Sequence, residues 1–311
     1  MTSISWNRLF QRLVVFFAQC LINLLVKLVR YLDIRIGVLH KPASLRPTRS
    51  FRIPSSKDKR RRIVVDVYEP VSRPSSSGPL PVHISFHGSA FVLPCHGSDA
   101  ELCAYLANRL GCIVLDSDYA KGPRYPYPAA VDDATDVLAF VASKPDVFDV
   151  SKITVGGYSA GANIAILAAL RVAKGASPVK GIVAWYAPTN MTKRGREEKT
   201  SPFASWLHRA FRSCYLPGGI DLMNPNVSPL YADSALFPPT TLIVGEDDPL
   251  LVDSVDLADK LIADGVDCVL HTIPGAGHVW ERFVKKDTPL WAARERALEL
   301  TEARLRQAYD N

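Results

Sequence analysis

The 311-residue chain lacks the patterns that would assign it to several common classes of protein. Its six cysteines include no Cys-x-x-Cys pair, so a cysteine-based zinc site is not expected. In a chain of this length an even cysteine count does not require disulfides, and we expect reduced thiols that behave mostly as small buried hydrophobic residues. No internal repeat or low-complexity segment is present. We therefore expect a globular protein in a reducing compartment, with the cytoplasm favoured over an endoplasmic-reticulum or membrane-associated location.

A large excess of charge of one sign is also missing. The chain has 37 Lys and Arg against 31 Asp and Glu, a formal net charge of +6, and these residues are scattered. The densest basic run, from Lys57 to Arg62, contains no interleaved aromatic residues. We interpret it as a solvated turn between two strands and expect no nucleic-acid partner. The charged fraction of 22% and the apolar fraction of 48% are ordinary for a globular protein.

The N-terminal segment, residues 1–45, contains an apolar run that is too short for a comfortable membrane span. The run from Leu13 to Val26 carries no charge, and no small-residue cleavage site follows it. The polar residues of this segment recur at helical spacing: Arg12, Gln19, Asn23, Lys27 and Arg30. This spacing predicts an amphipathic helix with a broad apolar surface. We favour docking of the helix on the protein as part of a cap, and keep peripheral membrane contact and a cleaved signal as alternatives.

From residue 46 to residue 311 the pattern predicts one α/β domain. Two strands, 50–54 and 63–68, are expected to pair antiparallel. The later predicted strands are 82–86, 112–116, 153–155, 181–185, 240–244 and 267–272, and the predicted helices are 100–110, 129–143, 160–174, 252–263 and 289–307. Such alternation favours a mostly parallel central sheet with helices on both faces. An insertion at about 190–228 breaks the alternation and is expected to form a small cap.

The stretch from Gly157 to Gly161 reads Gly-x-Ser-x-Gly and lies between a predicted strand and a small, apolar predicted helix. A serine on a tight, strained turn between strand and helix is the nucleophile elbow of α/β-hydrolases. The flanking glycines are expected because a side chain there would collide with the adjoining elements. The pattern therefore predicts Ser159 as a catalytic nucleophile.

A serine nucleophile needs a base and an orienting acid, and in α/β-hydrolases the acid and then the histidine follow the serine along the chain. His278 follows the predicted strand 267–272 on a glycine-flanked loop, and we expect it to be the base. Asp248 follows strand 240–244 and is the favoured acid, with Glu246 and Asp247 as competitors. The N–H groups expected to form an oxyanion hole come from Ala160 and from the loop after strand 82–86: Gly88, Ser89 and Ala90.

Together these motifs resemble the hormone-sensitive-lipase-like carboxylesterases, a branch of the α/β-hydrolases that includes arylacetamide deacetylases and bacterial, plant and fungal esterases. The similar segments are 87–90, 118–129, 157–163, 228–230 and 248–250, in the family's order within roughly residues 50 to 285. The chain departs from the family at four positions. Ser89 and Ala90 replace glycines of the oxyanion loop, Tyr158 stands where Asp is usual, and Ala162 stands where Gly is usual.

The resemblance implies a serine carboxylic-ester hydrolase that needs no metal or organic cofactor. The implied substrate is a small to medium hydrophobic ester, for example an acetylated or lactone-bearing secondary metabolite. An aromatic-rich insert is expected to cover the pocket: Phe203, Trp206, Phe211 and Tyr215. Two alternatives remain, a receptor-like ligand-binding protein on the same scaffold and an acyltransferase or cyclase that uses the same triad. The sequence leaves the oligomeric state open.

Overall fold

The structure is a computed structural model that describes residues 9–21, 24, 45–72, 78–173, 179–192 and 202–310. Eight strands form one sheet: β1 (Arg49–Pro54), β2 (Arg62–Tyr68), β3 (Leu80–Phe86), β4 (Ile113–Ser117), β5 (Phe148–Tyr158), β6 (Val179–Trp185), β7 (Thr240–Gly245) and β8 (Cys268–Ile273). The helices after the N-terminal segment are α1 (Ala100–Leu110), α2 (Ala129–Ala142), α3 (Ala160–Val172), α4 (Pro202–Tyr215), α5 (Leu251–Ala263) and α6 (Pro289–Asp310). A further helix at residues 9–21, called the N-terminal helix below, precedes them.

The strand order is β1-β2-β4-β3-β5-β6-β7-β8. β1 and β2 pair antiparallel, β2 pairs antiparallel with β4, and the remaining neighbours are parallel. The predicted α/β fold, with an antiparallel pair leading into a parallel sheet, is confirmed. β5 begins at Phe148, earlier than predicted, because Phe148 is itself buried in the core although polar residues follow it.

Two hydrophobic clusters, one on each face of the sheet, hold the helices. Residues of α2, α3 and α5 belong to one cluster, and residues of α1 and α6 belong to the other. Along β6, Ile182 and Ala184 join the first cluster, while Val183 and Trp185 join the second. This alternation is the period of a strand that is buried on both faces, and it explains why the parallel strands read as continuous apolar runs.

The parallel pairing brings the carboxyl ends of β3, β5, β7 and β8 to one edge of the sheet. Phe86 at the end of β3 pairs with Gly157 near the end of β5, and Gly245 at the end of β7 pairs with Ile273 at the end of β8. The loops that leave these strands therefore start side by side. They are the loops on which the sequence places the candidate nucleophile, acid, base and oxyanion donors.

The predicted cap insertion contains α4, between β6 and β7. Residues 193–201 of that insertion, and residues 1–8, 22–23 and 25–44 of the predicted N-terminal segment, lie outside the described residues. Within the described residues, no helix combines the length and hydrophobicity needed to cross a bilayer. All six cysteines are free thiols; Cys103, Cys112 and Cys214 are buried, and Cys20 is exposed.

Candidate active site

Ser159 occupies a strained turn at the end of β5. Its φ of 49° and ψ of −119° lie in a region that L-residues rarely adopt. The turn is enforced by close packing, since a Cβ on Gly157 would come 2.3 Å from the Phe86 carbonyl oxygen, and one on Gly161 would come 2.0 Å from the same atom. The Ser159 N–H donates to the Trp185 carbonyl at 2.9 Å. These contacts hold the serine at the edge of the sheet and explain both glycines.

The structure brings Ser159, His278 and Asp248 together in one chain of hydrogen bonds. Ser159 Oγ lies 3.1 Å from His278 Nε2, and His278 Nδ1 lies 2.8 Å from Asp248 Oδ2. The Asp248 carboxylate is fully buried, and its Oδ1 accepts the Leu250 N–H at 2.8 Å. A buried carboxylate bonded to Nδ1 fixes the imidazole tautomer in which Nε2 can accept a proton from the serine.

The competing carboxylates Glu246 and Asp247 are exposed. Both residues connect the loop after β7, which carries Asp248, to the loop after β8, which carries His278. Glu246 Oε2 accepts the Gly275 N–H at 3.3 Å, and the Asp247 N–H donates to the Ala276 carbonyl at 2.9 Å. Asp248 is therefore the carboxylate of the three that bonds to His278, and its neighbours set the distance between the two loops.

The loop after β3, called the oxyanion loop below, runs beside the serine and carries three of the predicted oxyanion donors. A Cβ built on Gly88 would lie 3.7 Å from the Ser159 Cβ. Ser89 is buried, and its hydroxyl lies 2.6 Å from the Tyr119 hydroxyl, which donates to the His87 carbonyl at 2.6 Å. Ser89 is thus held by the loop that follows β4.

Ala90 and Phe91 adopt left-handed backbone conformations, with φ of 48° and 65°. Glycine tolerates this region best, which accounts for the glycine that the resembled family carries at the position of Ala90. Ala160, the fourth predicted donor, is the first residue of α3, where the N–H lacks an intrahelical acceptor. Gly88 on the loop after β3 and Ala160 at the start of α3 therefore lie on two sides of the serine.

The buried imidazole of His87 contacts both the oxyanion loop and Asp118 on the segment after β4. His87 Nδ1 lies 3.0 Å from the Gly88 carbonyl oxygen, and Nε2 lies 3.3 Å from Asp118 Oδ1. Burial lowers the pKa of His87, and the neighbouring Asp118 opposes that shift. Burial alone would raise the pKa of Asp118, but its ion pair with Lys121 and its bond to His87 outweigh burial and hold the pKa well below the usual range.

Two residues of the site escape sequence reasoning. Tyr186 directly follows β6, has a φ of 40°, and packs its ring edge-on against His278 at 4.7 Å. Its hydroxyl donates to Glu281 Oε1 at 2.6 Å. Burial raises the pKa of Glu281, an effect that the Tyr186 hydrogen bond reduces. The signal for Tyr186 was its place after a parallel strand at the active edge; Glu281 has no such signal.

Tyr158, which stands where the family has Asp, turns away from the catalytic groups. It is 4% exposed and packs among residues of the cluster on the α1 and α6 face, with its ring 5.3 Å from that of Trp185 and 5.7 Å from the Arg282 guanidinium. The substitution therefore changes the core beneath the elbow.

Aromatic residues of α4, which lies in the predicted cap insertion, meet the oxyanion loop. Phe91 stacks on Tyr215 of α4 with ring centroids 3.9 Å apart, and Tyr127 meets Tyr215 edge-on at 6.1 Å. Of the other predicted cap aromatics, Trp206 and Phe211 are half-buried, and the Phe203 side chain lies outside the described residues.

The N-terminal helix docks next to this aromatic group. Val15 is 2% exposed and is buried together with Val92, Ala210 and Cys214. Gln19 donates hydrogen bonds to the carbonyls of Val92 and Gly122. The helix therefore rests on the end of the oxyanion loop.

Comparison with known proteins adds four findings. Residues 83–282 match a family described by its α/β hydrolase fold. Carboxylesterase NlhH of Mycobacterium tuberculosis is 33% identical over 236 residues, which are 71% of this chain and 72% of that protein. An acetyl-hydrolase of Streptomyces hygroscopicus is 28% identical over 230 residues, 71% of this chain and 74% of that protein. The solved structure of an esterase from Pyrobaculum calidifontis is similar with a TM-score of 0.76 at 28% identity, covering 94% of this chain and 92% of that one.

Proposed function

The chain belongs to the α/β-hydrolase fold family, in its hormone-sensitive-lipase-like carboxylesterase branch, and we propose that it hydrolyses esters through an acyl-enzyme formed on Ser159. The chain is a carboxylesterase-type hydrolase. The observation that carries the proposal is the hydrogen-bond chain from Ser159 Oγ through the His278 ring to Asp248 Oδ2.

In the proposed acylation step His278 Nε2 takes the proton of the Ser159 hydroxyl as the oxygen attacks the ester carbonyl carbon. Asp248 stabilises the imidazolium that forms. The N–H groups of Gly88, Ser89, Ala90 and Ala160 are the proposed donors to the oxyanion of the tetrahedral intermediate. The imidazolium then gives its proton to the leaving alcohol as the carbon–oxygen bond breaks.

Deacylation repeats these steps with water as the nucleophile. His278 removes a proton from the water, hydroxide adds to the acyl carbonyl, and collapse returns the proton to the Ser159 oxygen. The products are a carboxylic acid and an alcohol, and the enzyme regains its starting protonation state. All of these proton transfers use protein groups.

We further propose a substrate with a short to medium, hydrophobic acyl part. Phe91 stacks on Tyr215 next to the loop after β3, and in this proposal the methyl group of Ala90, in place of a glycine, narrows the space for the acyl part. An acetylated or lactone-bearing metabolite fits this description. The similarity to an acetyl-hydrolase of Streptomyces hygroscopicus supports an acetyl group as one such acyl part.

Ser159→Ala assayed with p-nitrophenyl esters of increasing chain length tests the reaction and the acyl preference together. We expect loss of turnover in Ser159→Ala and a preference for short chains in the parent protein. Ser143→Ala is the matched control, because Ser143 is an exposed serine at the end of α2. Turnover that survives in Ser159→Ala would refute the assignment.

The two alternatives give different results in the same preparation. A receptor-like protein would bind a ligand but fail to react with a fluorophosphonate probe, whereas the proposed hydrolase is labelled on Ser159. An acyltransferase would be labelled as well, but it would transfer the acyl group to an added alcohol in preference to water. Product analysis with water and alcohol acceptors separates these reactions.

We propose, finally, that the N-terminal helix has two faces with different tasks. Val15 and Gln19 face the cap and the oxyanion loop, while large apolar side chains face outward, among them Phe10 at 61% and Phe17 at 66% exposure. An outward apolar face that begins next to Arg8 in the sequence suits peripheral contact with an anionic membrane surface.

A further inference from the structure

Three potential metal ligands converge beneath the oxyanion loop, outside the catalytic triad. Asp66 lies on β2, Asp116 on β4, and His96 on the segment between β3 and α1. One ligand atom from each lies within 4.8 Å of the others. Asp66 and Asp116 are direct cross-strand partners in the antiparallel pair, so the sheet register itself brings the two carboxylates together.

Asp116 gives this cluster its significance. The residue is 0% exposed, and neither of its carboxylate oxygens has a hydrogen-bond partner among the described residues. A buried carboxylate without a donor or a cation beside it is strongly unfavourable, and proteins normally pair such groups or coordinate a metal with them. Within the described residues this carboxylate therefore lacks a hydrogen-bond donor.

The surrounding groups do not supply one. The charged or titratable groups that act on Asp116 are the three acids Asp66, Asp99 and Asp118 and the imidazole of His96. His96 Nε2 lies 3.6 Å from Asp66 Oδ2 and 3.1 Å from the Asp116 main-chain oxygen. Asp99 is itself paired with Arg282, and Asp118 with Lys121. Acid groups are in excess where the cluster forms.

We propose that Asp66, His96 and Asp116 bind a divalent transition-metal ion of the Zn²⁺ or Mn²⁺ kind. Two carboxylates and one imidazole are a donor set that suits these ions, whereas Ca²⁺ prefers more ligands, all of them oxygen. Two ligands of a tetrahedral Zn²⁺ ion lie roughly 3.4 Å apart, close to the His96–Asp66 separation. Water molecules complete the coordination.

The wider environment supports this assignment. Ser50 donates a hydrogen bond to Asp66 Oδ1, which orients the carboxylate and leaves Oδ2 directed at His96. A cleft of about 370 Å³, lined by Asp66 and His96 together with Ser50 and Arg52, opens beside two of the three ligands and provides an entry path. The site thus has ligands, an orienting contact and access.

The bound ion would hold the oxyanion loop on the sheet. The His96 ring lies 6.1 Å from the ring of His87, which in turn stacks on Tyr119 at 4.6 Å and bonds to Gly88. Coordination of His96 would fix the far end of the loop whose near end carries Gly88 and Ser89. The three ligands are positioning residues in this proposal, and the ion takes no part in bond breaking.

The test uses the full chain, freed of metal with EDTA and then equilibrated with Zn²⁺, Mn²⁺, Mg²⁺ or Ca²⁺ in turn. Metal content after gel filtration gives the stoichiometry, and competition with a fluorescent chelator gives the affinity. We expect one Zn²⁺ or Mn²⁺ ion per chain. The affinity should be at least 100-fold weaker in Asp116→Asn and in His96→Gln. Added metal should raise the Tm of the parent protein and leave the Tm of both variants unchanged. Asp259→Asn and His271→Gln, which change an exposed acid and an imidazole outside the cluster, should bind as the parent does.

Asp116→Asn removes an unpartnered buried charge, so the metal-free variant should be at least as stable as the metal-free parent, and lost binding then reflects lost ligation. Co²⁺ adds a spectroscopic readout, since its visible absorption reports ligation and should disappear in His96→Gln. The proposal is overturned if the parent retains no stoichiometric Zn²⁺ or Mn²⁺, if both ligand variants bind as tightly as the parent, or if Ca²⁺ and Mg²⁺ bind equally well. The first of these results would mean that a proton or water serves the carboxylates. None of these readouts depends on ester hydrolysis.

Discussion

Replacing Asp248 by Asn tests the proposed triad most directly, because the two oxygens of this carboxylate have two different partners. Oδ2 accepts from His278 Nδ1 at 2.8 Å, and Oδ1 accepts from the Leu250 N–H at 2.8 Å. An asparagine has only one carbonyl oxygen to serve both donors. The substitution keeps the shape of the side chain and removes one acceptor.

The amide therefore has two orientations, and both damage the site. If its oxygen accepts from Leu250, its NH₂ group faces His278 and favours the tautomer that carries the proton on Nε2, which can no longer accept the Ser159 proton. If its oxygen faces His278, the NH₂ group meets the Leu250 N–H in a buried place, at a cost of about 1–3 kcal/mol. The first orientation is favoured. We expect kcat to fall about 10³- to 10⁴-fold, equivalent to roughly 4–5.5 kcal/mol of lost transition-state stabilisation.

The assay is steady-state hydrolysis of p-nitrophenyl acetate, with the rate of fluorophosphonate labelling as a second readout of Ser159 reactivity. KM should change little, because Asp248 does not face the substrate. Asp247→Asn is the matched control, since the neighbouring carboxylate is exposed and should leave kcat within about 2-fold of the parent. An Asp248→Asn protein with kcat within 10-fold of the parent, or one no slower than Asp247→Asn, would refute the reasoning.

Three further predictions concern stability and surface contact. Ala90→Gly relaxes a residue with a φ of 48° and should raise the unfolding free energy by about 1 kcal/mol in urea titrations; a decrease would contradict the strain argument. Burial lowers the pKa of His83 to about 4, below the value of about 6.5 expected in the unfolded chain. The contribution of His83 to the unfolding free energy should therefore be fully present well above pH 6.5 and fall by up to about 3 kcal/mol as the pH drops to 4. His83→Gln should lack that loss, and an unchanged pH profile in the variant would point to another group. Phe17→Ser removes an exposed apolar side chain, so it should reduce co-sedimentation with anionic vesicles without changing Tm. Val15→Ser changes a buried side chain and should lower the unfolding free energy by about 2 kcal/mol. Equal vesicle binding by Phe17→Ser and the parent would argue against membrane contact.

The sheet and its helices were predictable because the hydrophobic periodicity and the positions of turn-forming residues agree along most of the chain. The helix predicted over 100–110 is α1 as observed, and the other predicted elements of the sheet differ mainly at their ends. The exception is β5, where Asp149, Ser151 and Lys152 conceal the start of the strand. Asp149 and Ser151 tolerate strand geometry because Phe148 and Val150 on the alternate positions pack in or against the core.

Candidate residues that belong to a local motif or directly follow a strand were predictable from the sequence. Residues that only the folded structure brings together were not. Ser159, Asp248 and His278 each follow a strand, so topology alone brings them to one edge. Asp66, His96 and Asp116 lie on a sheet register and an irregular segment, and no local motif marks them. Burial decides their chemistry, and burial of a single polar residue cannot be read from one sequence.

Ala90, one of the departures from the family pattern, lies on the oxyanion loop, and the end of that loop contacts the N-terminal helix. A glycine at position 90 would adopt a φ of 48° without strain, but Ala90 and Phe91 hold two successive left-handed conformations against their own preference. External contacts must offset that strain, and they are found on both sides of the loop. Phe91 stacks on Tyr215 of the cap, and the N-terminal helix binds the Val92 carbonyl through Gln19. The helix that shields the cap is therefore also a support for the backbone beside Ser159, which ties the shape of the proposed oxyanion hole to a segment remote from it in sequence.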